Sequence, residues 1–488
     1  MKLSNLLKLH HILNVTADSN NVNCDSAFVA IRGSKFDGND FIEQVINEGA
    51  RIIFTENESI IDKYNNILPV IYTENARKLL AEISAVLTPN IPNNLIAVTG
   101  TNGKSSIVHY VAQFLAFTGN KAGTIGTLGV NLYEEKGHCL LKNSGLTTSG
   151  PVEFHEQLSL LKKERVEYCV VEASSIGLDQ YRLYGRKFKV AGFSSFSRDH
   201  LDYHGSMEKY LDAKLLLFSD YMEDGAFSVI NSDITEYSQI STYLNSVGRK
   251  YISVGSDGGF GINIISKSLS GYEFTLSCDN KSYNLRANIL GEFQIYNIIL
   301  SLAMLTSIGF EIDRLIPCVE KLTAPIGRLE RVDTKGIGSS IFVDYAHTTD
   351  ALSNVLRELK YLSLQRCGKL IIVFGCGGNR DKGKRRLMGE VAINNADFVV
   401  VTDDNPRDED AAKIRKDVIE GAIGAQEISD RKKAIEYAIN SMEKSDILLI
   451  AGKGHEDYQI IGEAKYYFSD KVVAKEICDI KSFSYLKS

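Results

Sequence analysis

This chain has no block of basic residues, and its formal net charge is −6. Binding a polynucleotide rests on clustered Lys and Arg that displace counterions from phosphates, so nucleic acid is not an expected partner. No two of its eight cysteines are spaced as Cys-x-x-Cys. Cys24, Cys139, Cys169, Cys278, Cys318, Cys367, Cys376 and Cys478 are scattered, which fits reduced thiols in a cytosolic protein. No apolar run approaches the roughly 20 residues that cross a bilayer. In the N-terminal "MKLSNLLKLHHILN", Lys8, His10 and His11 interrupt the leucines and leave no signal-peptide core. A cytoplasmic monomer is expected, without a membrane partner. There is no short-period repeat and no low-complexity segment.

Proline is scarce too, with seven in 488 residues, so its positions punctuate the chain. "TPNIPNN" (Thr88–Asn94) joins a helical pattern to a new strand, and "TAPIGRLERV" (Thr323–Val332) forms a second break. The expected domains are residues 1–88, 89–326 and 327–488.

What is present is an alternation. Apolar β-branched runs such as "NLIAVTG", "YCVVEASS", "SIFVDYA", "KLIIVFG", "DFVVVTD" and "DILLIAG" are separated by helical patterns. These include "SSIVHYVAQFLAFTG", "DALSNVLRELKYL" and "RLMGEVAINNA". That order predicts an α/β fold with mostly parallel sheets, whose ligands sit beyond the carboxyl ends of the strands.

"AVTGTNGKSS" (Ala97–Ser106) reads as strand, tight turn and helix. The backbone of Gly100, Thr101, Asn102 and Gly103 can wrap a phosphate at the helix N-terminus. Lys104 can reach the outer phosphates and Ser105 can ligate Mg²⁺. The full P-loop pattern has glycine where this chain has Val98. Further on, Glu172 ends a strand, His200 lies in "SRDHLDYHG" and Lys214 lies in "YLDAKLLLF". On spacing alone these read as a strand-end charge, a helix-cap neighbour and a lysine snorkelling along a leucine stripe. Closely spaced glycines in "VFGCGGNRDKGKRR" suggest a weak dinucleotide loop, and "GKGHE" (Gly452–Glu456) invites a lysine-nucleophile reading. In "VTDDNPRDED" (Val401–Asp410) one arginine stands among five acids, on a bend fixed by Pro406.

"TGTNGKSS" resembles the phosphate turn of the Mur ligase and folylpolyglutamate synthetase superfamily, which forms amide bonds at the expense of ATP. The blocks "EASS", "DHLDYHG", "AKLLLF", "GRLE", "VDYAHTTDAL", "DDNPR" and "GKGHE" follow in that family's order. Together they resemble its tripeptide-forming branch. The resemblance implies three domains: one for the UDP-substrate, a central P-loop-type ATPase domain and a Rossmann-like C-terminal domain for an amino acid. It implies that Glu172, His200 and Lys214 hold Mg²⁺, with Lys214 as a carbamate (N6-carboxylysine), and that these three act with Lys104 in catalysis. It places ATP against Gly100–Ser105, Asn297, Arg328 and Asp344. It assigns Ser19, Thr147, Thr148, Ser174, Gln180 and Arg182 to UDP-N-acetylmuramoyl-L-alanyl-D-glutamate. It gives meso-diaminopimelate to Arg380, Asp404, Asn405, Arg407, Gly452 and Glu456, with Asp404, Asn405 and Glu456 accepting from its distal ammonium. Departures from the pattern are Ile176 for a histidine, Asn20 for an arginine, Ser149 and Thr349 for prolines. A polyglutamate synthetase, an inactive scaffold of the same fold and a P-loop switch protein are the alternatives. Retention of Lys104, Glu172, His200 and Lys214 disfavours the scaffold.

Overall fold

The computed structural model describes residues 2–33, 36–334 and 339–485. Among those residues the strands form three large sheets, one after another along the chain, and a two-stranded hairpin. The first sheet is parallel and uses Asn14–Thr16, Ser26–Val29, Ile52–Thr55 and Val70–Tyr72 in sequence order. Its two middle strands are buried at every residue. Continuous apolar runs therefore replace alternation, because both faces are covered.

The second sheet has eleven strands. At its centre lies Asn94–Thr99, flanked in parallel by Phe188–Phe193 and Tyr168–Glu172. Both edges turn antiparallel, through Phe260–Ser268, Gly271–Cys278 and Lys281–Ala287 on one side and Ala122–Gly126, Gly129–Glu134 and Gly137–Lys142 on the other. The helices Lys104–Phe117 and Glu292–Ser307 cover one face. Every residue from Ser105 to Ala116 is buried, so this helix is enclosed on all sides and held by packing rather than by an amphipathic stripe. Full burial of a side chain such as Phe114 stabilises by roughly 1.5–3 kcal/mol. The phosphate-loop helix is thus anchored far more firmly than a surface helix.

The third sheet runs in the order Glu330–Arg331, Ser340–Asp344, Ile447–Ala451, Leu370–Phe374, Phe398–Val401, Gln426–Glu427. Only its first pair is antiparallel. The strands and helices expected from the alternation are present. The antiparallel edges of the central sheet, and the hairpin of Tyr458–Ile461 with Ala464–Tyr467, were not anticipated. No helix among the described residues is long and apolar enough to cross a membrane.

A fully buried ion pair ties the third sheet together. Arg431 grips both oxygens of Asp470 at 2.7 Å, with neither side chain exposed. The same guanidinium donates to the carbonyls of Ala451 (2.9 Å) and Asp403 (3.4 Å), at the carboxyl ends of two strands. Arg431→Met would leave Asp470 buried and uncompensated. The expected cost is roughly 3–5 kcal/mol, read as an earlier urea-unfolding transition; a transition unmoved from the parent's would contradict it.

Candidate functional site

The loop after Asn94–Thr99 begins with Gly100, at φ +139°, where a Cβ would stand 2.0 Å from the Ser194 hydroxyl. Only glycine fits. Gly103, at φ +88°, caps the helix, and a Cβ there would stand 2.6 Å from Oδ1 of Asn297. Asn297 therefore lies directly against the turn, with its amide donating to Gln294. Lys104 Nζ folds back onto the carbonyls of Gly100 (2.8 Å) and Thr101 (2.9 Å). Lys214 Nζ, on the neighbouring helix Met207–Asp220, also donates to Gly100 O at 2.8 Å. Lys214 is 1% exposed, lies over the Tyr210 ring and forms no ion pair among the described residues. Burial first, and then the charge of Lys104, drive its amine well below the ordinary lysine range. Burial also lowers Lys104, with Glu172 and Asp199 opposing. Two amines on one carbonyl oxygen cannot both stay charged cheaply, and the downward push is the stronger on Lys214.

Glu172 ends its strand at 2% exposure. Its oxygens accept from Thr127, at 2.9 Å from the backbone N–H and 3.1 Å from the hydroxyl. A cavity of about 10 Å³ adjoins Ser105, His109, Gly126 and Glu172, enough for about one water-sized atom. Burial lowers His200, Asp199 opposes, and the nearby Lys104 and Lys214 push it down further. It stands 3.5 Å from Asp199, which His347 approaches at 3.8 Å from the third domain. Burial would raise Asp199, but His200, His347 and Lys384 hold it down to about 2. Among the described residues no three His, Cys, Asp or Glu side chains cluster closely enough to hold a metal. The donors that do gather are a carboxylate, an imidazole, a hydroxyl and a buried amine able to become a carbamate. With the carbamate oxygens added, that set suits a hard divalent cation.

Thr147, Thr148, Ser174, Gln180 and Arg182 are brought together. The Thr148 hydroxyl donates to Glu172 O (2.8 Å) and accepts from Ser174 N (3.0 Å). Arg182 donates to Thr148 O and to Gln180. The Thr147 and Thr127 hydroxyls lie 3.0 Å apart, so one threonine joins the metal-side carboxylate to this loop. Ser19 is buried in the first domain and shares no hydrogen bond with these residues.

The third domain reaches the phosphate loop through Arg328 to Ser105 Oγ, and through Thr348 and Asp350 to Asn102 Nδ2, each at 3.4 Å. Asp344, expected to meet nucleotide, has each oxygen engaged by a backbone N–H: Leu329 at 2.7 Å and Ala346 at 2.6 Å. These bonds hold the bend next to Arg328, where Leu329 sits at φ +47°.

The acid-rich loop resolves unexpectedly. Asp403 pairs with Arg415, Glu409 with Arg385, Asp408 accepts from Asn379, and Asp410 caps a helix. Asp404 faces Lys453 at 3.1 Å. Arg407 is left with no ion pair among the described residues; its Nη1 donates to Gly378 O (2.7 Å) and Asn405 O (3.4 Å). Burial first, then the nearby Arg380, lower it. Glu456 and Asn405 meet at 2.9 Å. Gly452, at φ +112°, brings its Cα beside Asp404, where a Cβ would stand 3.3 Å from Oδ2. Asn405 differs from expectation. Its oxygen already accepts from Lys453 Nζ and Ile460 N, and its NH₂ faces Glu456, so it stands here as a donor. Lys453 is no nucleophile: its side chain is 0% exposed and enclosed by acceptors. Thr127, Asp199 and His347 were not assigned from the sequence. The signal for Thr127, in "TIGTLG", is a strand-end glycine turn that falls beside Glu172 only once the sheet is assembled.

Models of the Mur ligase family match three successive stretches: the family's catalytic domain over residues 11–99, its middle domain over 98–305 and the glutamate ligase domain over 327–454. The chain is 43% identical over 480 residues to a UDP-N-acetylmuramoyl-L-alanyl-D-glutamate--2,6-diaminopimelate ligase of Rickettsia conorii, covering 97% of each. It is 41% identical to the protein of the same name from Zymomonas mobilis, over 96% of this chain and 95% of that one. A solved structure of a ligase of that name has a TM-score of 0.67 at 30% identity, covering 96% and 95% of the two chains. A MurF ligase of Thermotoga maritima solved with ADP shares the fold, with TM-score 0.65, 19% identity, and 99% and 100% coverage.

Thr127→Val should free one oxygen of Glu172 from its donor without changing side-chain volume. Divalent-cation affinity, measured by calorimetry with ADP present, is expected to fall roughly 10–100-fold, as for other partners that orient a metal ligand. Thr127→Ser should restore it, and unchanged affinity in Thr127→Val would remove the positioning role.

Proposed function

The chain belongs to the Mur ligase family, and from that premise we infer that it adds meso-diaminopimelate to UDP-N-acetylmuramoyl-L-alanyl-D-glutamate at the expense of ATP, a step of peptidoglycan precursor synthesis. The observation that carries the choice of amino acid is Arg407. It is a guanidinium without a counter-ion, held beside Asp404 and Glu456, in a loop whose other acids are all engaged elsewhere.

The chemistry must overcome the poor reactivity of a carboxylate. The side-chain carboxylate of the D-glutamyl unit attacks the γ-phosphorus of ATP, the bond to the β-phosphate oxygen breaks, and ADP leaves an acyl phosphate behind. The amine of the incoming amino acid adds to the acyl carbon and loses a proton. The tetrahedral intermediate collapses by expelling phosphate, and the amide remains. Lys104, released from its two carbonyls, is placed to meet the outer phosphates, and Arg328 approaches from the third domain beside Ser105. Ser105, Glu172, His200 and the carbamate of Lys214 would hold Mg²⁺, which when bound offsets charge on the transferring phosphoryl group. Thr148, which donates to Glu172 O, and Arg182, which donates to Thr148 O, set the acceptor carboxylate near that centre. Residues 1–88 take the uridine end of the substrate, with Ser19 among its contacts; residues 89–326 take ATP, and residues 327–488 take the amino acid. The domain contacts through Arg328, Thr348, Asp350 and the Arg198–Asp381 pair (3.1 Å) exclude water from the acyl phosphate.

The distal end of meso-diaminopimelate carries an ammonium and a carboxylate. Arg407 can grip that carboxylate with a bidentate fork, with Arg380 close by. L-Lysine lacks the group and would leave the half-buried guanidinium unpaired. Screened by solvent, that costs less than the roughly 3–5 kcal/mol of a fully buried charge, and about one to two decades of discrimination are expected. Two outcomes follow for ADP release with purified protein. Lys104→Ala should be folded and inactive. Arg407→Ala should lose most of the preference for meso-diaminopimelate over L-lysine. Near-normal turnover in the first variant would sink the ligase reading, and full preference in the second would sink the role of the arginine.

A further inference from the structure

Lys453 is the side chain of this pocket that the reaction leaves unexplained. It follows the strand Ile447–Ala451 in a turn whose glycines, Gly452 and Gly454, sit at φ +112° and +53°. That backbone folds the lysine inward, where it is fully buried. Its Nζ donates to Asn405 Oδ1 and to Tyr458 O, both at 2.8 Å. It also stands 3.1 Å from Asp404 Oδ1 and 3.7 Å from Glu456 Oε2. Two protons of the ammonium go to Asn405 and Tyr458, and the third is left for Asp404 Oδ1. The lysine therefore balances the charge of Asp404.

Two consequences follow from the same atom. The first is a count of charge. Asp404 and Glu456 bring two negative charges and Lys453 returns one positive, so this corner accommodates one further ammonium. Around it stand Arg407 and Arg380 on the ligand side, Arg431 behind Asp404, and the hydroxyl of Tyr458. The second is orientation. By occupying Oδ1 of Asn405 together with Ile460 N (3.0 Å), Lys453 turns the amide NH₂ toward Glu456. Through Tyr458 O it also ties down the hairpin strand Tyr458–Ile461, whose Ile460 O accepts from Arg407 N (3.1 Å). That contact and Gly462 N to Arg407 O (2.8 Å) hold Arg407 in the left-handed region at φ +52°.

Resting on the ligase reading above, we propose that Lys453 is a specificity-determining residue: the resident counter-charge that makes the amino-acid pocket fit a zwitterionic end and reject a purely cationic one. Without it, two buried carboxylates would face the ligand and a second positive charge would be welcome. Lys453→Met keeps most of the volume and removes the charge. Its KM for meso-diaminopimelate should rise while the KM for ATP stays, and the ratio of kcat/KM for meso-diaminopimelate over L-lysine should fall about tenfold or more. The double variant Lys453→Met with Glu456→Gln restores the count of charge, with Asp404 alone negative, and should recover most of that ratio. A purely structural lysine would not be rescued by removing a carboxylate.

The ratio is measured for parent, single and double variants, with folding followed by circular dichroism. A folded single variant with an unchanged ratio overturns the proposal, and so does a folded double variant that recovers none of it. Should the single variant not fold, the double variant decides alone: it must fold and prefer meso-diaminopimelate. If it does not fold either, Lys453 is structural and the proposal is overturned. A parent protein that releases no ADP with meso-diaminopimelate would instead overturn the ligase reading on which the proposal stands.

Discussion

The carbonyl oxygen of Gly100 receives two lysine amines, Lys104 and Lys214, each at 2.8 Å. In water this would be unremarkable, but here both amines are pushed down by burial, and each charge makes the other costlier. The arrangement divides labour. One lysine lies at the open end of the turn, within reach of a phosphate. The other is sealed beneath it against Tyr210, where burial favours the uncharged amine. Gly100 makes this possible because no side chain fits between it and Ser194. The metal-side residues, the substrate loop and the third domain are all arranged around that turn.

Much of this was legible in the sequence. The strands that end at Thr99, Glu172, Asp344, Phe374, Val401 and Ala451 are apolar, β-branched runs, and each is followed by the residues that bear chemistry. Parallel sheets buried on both faces write themselves plainly into a chain. The antiparallel edges were missed although "GYEFTLSC" alternates buried and more exposed residues from Tyr272 to Cys278, because alternation marks a half-buried strand without naming its partner. Residues that orient others were the hardest to read. Thr127, Asp199 and Lys453 act on groups 45, 1 and 48 positions away, and only the assembled sheets put the distant pairs in contact.

Roles shifted more than positions. Asp344 stands where it was expected, yet its oxygens serve backbone N–H groups that bend the linker behind Arg328. Asn405 lies in the pocket, yet its acceptor oxygen is spoken for. A motif tells which side chains are near a ligand; hydrogen-bond capacity already consumed decides what remains for the ligand to use.

The guanidinium of Arg431 ties the carbonyls of Ala451 and Asp403 to the carboxylate of Asp470, at the start of the helix Asp470–Tyr485. One of those carbonyls precedes Gly452 and the other precedes Asp404, so the two walls of the proposed amino-acid pocket hang from one buried ion pair. All of its members lie in the third domain, so a substitution at the phosphate loop, such as one at Gly100 or Lys104, removes none of the bonds that shape those walls.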